Sequence, residues 1–121
     1  MADPASDHPI EIRTEPRCVR VLAGGQIIAE TKRALSLREA SYPAVLYIPR
    51  EDAQMALFTH TDNATHCPYK GDASYYTIKV GDRAAENAIW SYETPFPAMK
   101  EIEGHLAFYP NRVDAIEVEP A

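Results

Sequence analysis

The stretch CVRVLAGGQIIAET, residues 18–31, constrains this chain more than any other. Two β-rich runs flank Gly24-Gly25, and adjacent glycines supply the positive φ values that a tight two-residue hairpin turn demands. A hairpin there commits its flanks to antiparallel pairing, and the following segments use the same grammar. ALSLREA (34–40) reads as a further strand, and AVLYIP (44–49) as another that Pro43 and Pro49 keep short. Tyr76, Ile78 and Val80 alternate with Tyr75, Thr77 and Lys79, which predicts a strand with one apolar face over the core.

Gly81-Asp82 suits a second two-residue connection, so RAAENAIWSY (83–92) is read as a strand although Ala84, Ala85, Ala88, Ile89 and Tyr92 also fit a helical stripe. HLAFYP and VDAIEVE close the chain as two more strands around PNR. PREDAQM (49–55) has proline at a first helical position and acids where the helix dipole favours them, which predicts one or two turns of helix. ALFTH is expected to be extended, Thr61–Lys70 polar and irregular, and ETPFPAMKEIEG a loop or short turn. The expected fold is all-β, mainly antiparallel, with at most one or two short helical turns, and not a βαβ nucleotide-binding fold. Residues 1–9, with two prolines and two aspartates, are expected to be a mobile lead-in, and 10–121 one domain.

At 121 residues the chain is long enough for an independent core. A net charge of −6 with scattered basic residues argues against a nucleic-acid backbone as partner, since phosphate contacts need clustered Lys and Arg. No window approaches a membrane span and the first residues lack a signal-peptide pattern, which points to a cytoplasmic protein without a membrane partner. Cys18 and Cys67 are read as thiols.

Chemistry is sought first in THCPYKGDASYYTIKV (65–80). His60, His66 and Cys67 share a segment, but the paired close spacing of structural zinc is missing, so no metal site and no cofactor are expected. Cys67 would need a depressed pKa to act as a nucleophile, which Lys70 or His66 beside it would supply. Lys70-Gly71 lacks the surrounding glycines of a phosphate loop. Its functional reading is a cationic anchor at a turn where glycine lets backbone approach a ligand. Arg50 and Asp52 are candidates for anion clamp and general base, and His105 for a pocket acid or base. Tyr47, Tyr69, Trp90 and Tyr92 combine apolar bodies with polar tips, the usual wall of a small polar-ligand pocket.

YIPREDAQM, THCPYKGDASYY, NAIWSYETP and LAFYPNRVD, in this order and spacing, resemble the domain of unknown function 427 family of small bacterial and fungal proteins, over about Ile10 to Val118. The resemblance implies an antiparallel β-tent fold like that of Mss4 and methionine sulfoxide reductase B. The zinc-binding cysteine pairs of those relatives are missing here, so neither zinc nor reductase activity carries over. It also implies motif positions at Tyr47, Pro49, Arg50, Asp52, Cys67, Pro68, Tyr69, Lys70, Gly71, Tyr75, Trp90, Ser91, Tyr92 and Tyr109. The family's occasional nucleotidyltransferase-like label would require paired metal-binding acids after a Gly-Ser, and that pattern is absent.

The expected function is binding of a small polar or anionic ligand between the Arg50 segment and the Lys70 loop. Two alternatives stand beside it. One is an enzyme using the same pocket, with Asp52 or His105 as general base and Cys67 as nucleophile. The other is a protein-interaction module or homodimer that buries a strand edge.

Overall fold

The computed structural model describes residues 9–120. The predicted lead-in at 1–9 therefore lies outside the described residues except for Pro9, whose carbonyl accepts a hydrogen bond from Ala40 N at 2.8 Å. The first five strands are β1 (Ile10–Glu15), β2 (Val19–Ala23), β3 (Gln26–Thr31), β4 (Ala34–Glu39) and β5 (Val45–Tyr47). They are followed by β6 (Phe58–Cys67), β7 (Gly71–Val80), β8 (Arg83–Ser91), β9 (Ala107–Phe108) and β10 (Ala115–Val118). All pairings are antiparallel, and the described strands form sheets of order β1-β4-β5, β10-β2-β3 and β6-β7-β8-β9.

Local turn chemistry explains the hairpins. Gly24 and Gly25 adopt φ of +60° and +80°, so Ala23 pairs with Gln26 across a two-residue turn. Gly81 at φ +58° does the same between Val80 and Arg83, which makes RAAENAIWS a strand rather than a helix.

The structure corrects three local expectations. The segment expected to be irregular from Thr61 is the continuation of β6, with a register shift between His60 and Ala64, and the turn is confined to 68–70. β6 is an outer strand with both faces largely exposed, so it has no apolar alternation for a sequence reading to find. The one or two helical turns expected at PREDAQM are met by a single 3₁₀ turn, Arg50–Asp52, which ends where Ala53 turns extended at φ −121°. A second 3₁₀ turn, Met55–Leu57, occupies the start of the ALFTH stretch. β1 appears where only the domain start had been placed.

The four-stranded sheet has a core on each face. Tyr76, Ile78, Ile89 and Phe108 pack with Val19, Val21, Ile28 and Ile48 on one side. Ala73, Tyr75, Tyr92 and Ala107 pack with Leu37 and Tyr47 on the other. The single apolar face expected of β7 is thus corrected to burial on both faces in its middle, where Tyr75 and Thr77 are buried as well as Tyr76 and Ile78. Adjacent residues of β7 thus serve different cores, and Tyr75 and Tyr76 point to opposite sides.

Candidate functional site

The second core opens into a cavity of about 300 Å³. β5 contributes Tyr47, β7 Tyr75 and β8 Trp90, while Tyr92 and Tyr109 follow β8 and β9. The wall is charged at one point, where Lys70 meets Glu39 at the end of β4. Lys70 is 6% exposed, an unusual degree of burial for a lysine. The turn 68–70 delivers it: Cys67 pairs with Gly71, and Phe96 N donates to the Lys70 carbonyl at 3.0 Å. Gly71 takes φ +117°, a conformation that strains any L side chain, and a Cβ there would touch the Pro95-Phe96 backbone at 3.4 Å.

Lys70 Nζ donates to Glu39 Oε1 and stands 5.7 Å from the Tyr92 ring centroid. Two charges taken from water together are tolerable because each neutralises the other, and the aromatic face adds a favourable quadrupole. Trp90 Nε1 donates to Tyr47 Oη at 3.3 Å, and the Trp90 ring lies 4.5 Å from that of Tyr109. Tyr75 Oη bonds Thr65 Oγ1 at 2.9 Å and lies 3.5 Å from Tyr109 Oη. Burial pushes the Tyr47 and Tyr92 phenols well above their ordinary range. Burial and then the Tyr75 hydroxyl raise Tyr109 to about 12. All three are therefore neutral at physiological pH, with Tyr47 Oη accepting from Trp90 and Tyr109 Oη beside Tyr75 Oη. Chemically the cavity offers flat aromatic faces, several hydroxyls and one internally balanced ion pair.

Arg50, expected to share a pocket with Lys70, lies at the end of the opposite core. Its Nε donates to the Gly104 carbonyl at 2.6 Å, Nη1 to Tyr76 Oη at 3.1 Å, and Nη2 to Ser91 Oγ at 3.2 Å and Glu93 Oε2 at 2.7 Å. Ser91 Oγ in turn donates to the His105 carbonyl at 2.8 Å, and Tyr76 Oη to Glu93 at 3.0 Å. This guanidinium ties three chain segments together with the donors that an anion would need. The physical reason is the pleat: Tyr76 and Ser91 face away from Tyr75 and Trp90.

Asp52 does not orient Arg50. It accepts from Thr31 Oγ1 at 2.7 Å and from Arg33 at 3.1 Å. The Thr31 hydroxyl and the Arg33 guanidinium hold its carboxyl below the usual range, the opposite of what a general base at neutral pH requires. His105 Nδ1 lies 3.2 Å from the Glu103 carbonyl, and Cys67 is a half-buried free thiol. Asp52, Cys67, His105, Tyr69 and Gly71 do not line the cavity, whereas Tyr47, Lys70, Trp90 and Tyr92 do. Among the described residues, no group of three or more His, Cys, Asp and Glu side chains is placed to hold a metal ion, and no helix is long and apolar enough to cross a membrane.

Sequence reasoning did not assign Glu39, Tyr75 or Tyr109 to the pocket. Tyr75 and Tyr109 carried a signal as motif positions. Glu39 carried none, being an ordinary acid at a strand end 31 residues from its lysine.

The chain matches no curated protein. One family model, described as Domain of unknown function (DUF427), matches residues 11–119. That span takes in β2 to β10 and most of β1, and with them both the Lys70 cavity and the Arg50 clamp, so this chain belongs to the DUF427 family.

Proposed function

We propose that this protein binds a small polar ligand in the tyrosine- and tryptophan-lined cavity beside Lys70. One observation carries the reading: a lysine only 6% exposed is paired with Glu39 in the wall of a 300 Å³ aromatic cavity. Burying an ion pair costs desolvation that an apolar pair of the same shape avoids, so its presence in a cavity wall is better explained by recognition than by stability. In this reading Lys70 meets an oxygen of the ligand, anionic or carbonyl. Trp90 and Tyr109 cover its flat or C–H face, and the phenols of Tyr47 and Tyr92 select its orientation. Arg50 acts as part of the scaffold.

The test uses Trp90, the one tryptophan of the chain, as a reporter inside the site. Nucleotides, sugar phosphates, carboxylates and divalent metals are screened by Trp90 emission and by thermal shift, on wild type and Lys70→Met. A true ligand at 100 times its Kd adds about 2.7 kcal/mol, about 10 °C for a domain of this size. The reading holds if a compound class changes both signals in wild type and neither in Lys70→Met. It fails if no compound changes both.

A further inference from the structure

A second cavity, of about 370 Å³, opens where the three sheets come together. Val21 of β2, Leu46 of β5, Phe108 of β9, and Ile116 and Val118 of β10 form half of its wall, and no charged side chain lines it. Ala44, Pro110 and Val118 in its lining are exposed, so it is an apolar groove open to solvent rather than a sealed void, and it gains by covering that apolar surface. It shares Val45 and Trp90 with the Lys70 cavity. The indole of Trp90 therefore stands between a compartment with a charged pair and a compartment of aliphatic and aromatic carbon.

We infer that the ligand is an amphiphile with an unbranched hydrocarbon tail. Its polar head sits at Lys70, and its tail runs past Val45 and Trp90 into the second cavity. The inference rests on the Lys70 reading for the head and on the apolar lining of the second cavity for the tail. A head alone would leave the second compartment unused. A tail gains affinity in proportion to the apolar surface it hides there, which makes chain length the property the site measures. β10 forms the outer wall as the edge strand of its sheet, so Ile116 and Val118 are the side chains that set how much tail is accepted.

The experiment titrates straight-chain carboxylates from butyrate to octanoate against Trp90 emission in wild type, Ile116→Phe, Val118→Glu and Lys70→Met. In wild type each added methylene is expected to tighten binding about fourfold until the cavity is full. Ile116→Phe fills the compartment and should flatten that series while leaving butyrate unchanged. Val118→Glu, at a position 36% exposed and therefore tolerant of charge, tests the same wall should the phenylalanine not fit. Lys70→Met should weaken every member by a common factor and keep the dependence on length. A wild-type series that binds without dependence on length overturns the tail and leaves the head reading intact. So does a length dependence that survives both β10 variants. A series unaffected by Lys70→Met removes the head reading while the tail stands.

Discussion

Replacing Arg50 with lysine separates the scaffold role of this residue from a ligand role. Lysine keeps the charge and can still reach Glu93, but one ammonium cannot replace the guanidinium fork that spans Gly104, Tyr76 and Ser91. All three acceptors lose Arg50, but Tyr76 still donates to Glu93 and Ser91 still donates to His105, so these two keep another bond. Three lost bonds at about 1 kcal/mol each set an upper figure, and the compensation lowers the expected loss to about 2–3 kcal/mol. With about 2.1 cal/mol/K of unfolding entropy per residue, each kcal/mol moves the midpoint of this chain by about 4 °C, so Tm should fall by about 8–12 °C. Thermal unfolding followed by circular dichroism measures it, with ligand affinity read in parallel from Trp90. A variant that melts within about 2 °C of wild type but no longer binds ligand would refute the argument, because Arg50 would then be serving the ligand instead of Gly104 and Glu93.

Lys70→Met should destabilise the fold by leaving Glu39 in a part-buried wall without its cation, and Lys70→Met/Glu39→Gln should recover part of that loss. Urea midpoints of wild type, Lys70→Met, Glu39→Gln and the double variant give the coupling, and additive effects would mean the pair is not coupled. Burial pushes the Glu93 carboxyl up, but hydrogen bonds from Ser74 and Tyr76 and the Arg50 charge outweigh it and leave it lowered overall. A lowered folded-state pKa adds stability above the unfolded value of about 4.3 and loses it as pH falls through the folded value. Glu93→Gln should therefore flatten the acid limb of stability against pH, and an unchanged limb would contradict this. Ala40 holds φ +49°, where an L side chain is strained, so Ala40→Gly should raise stability by about 0.5–1 kcal/mol. Calorimetry showing a lower Tm would contradict this.

What the sequence reveals tracks how local the cause is. Gly24-Gly25 and Gly81-Asp82 determine their turns through their own backbone freedom, so both hairpins can be read without knowing anything else. The aromatic wall was half legible, because Tyr47, Lys70, Trp90 and Tyr92 combine a polar tip with an apolar body wherever they lie. Arg50 and Asp52 mislead because they are near neighbours in sequence. The 3₁₀ turn sends one to Glu93 and Gly104 and the other to Thr31 and Arg33. Glu39 is found only by pairing β4 and placing its sheet over β7, information that is tertiary from the start.

Strand β6 has a further consequence for how the protein behaves in a crowded solution. Its outer edge presents ten residues of backbone with no neighbouring strand among the described residues, the kind of template on which chains stack into fibrils. The shift between His60 and Ala64 breaks the flatness such stacking needs, and Asp62 together with the His66–Asp72 pair sets charge along the same ribbon. The sequence that looks least like a strand thus works against stacking along a long exposed edge, and straightening it by deleting the extra residues would be expected to shorten the lag time for aggregation.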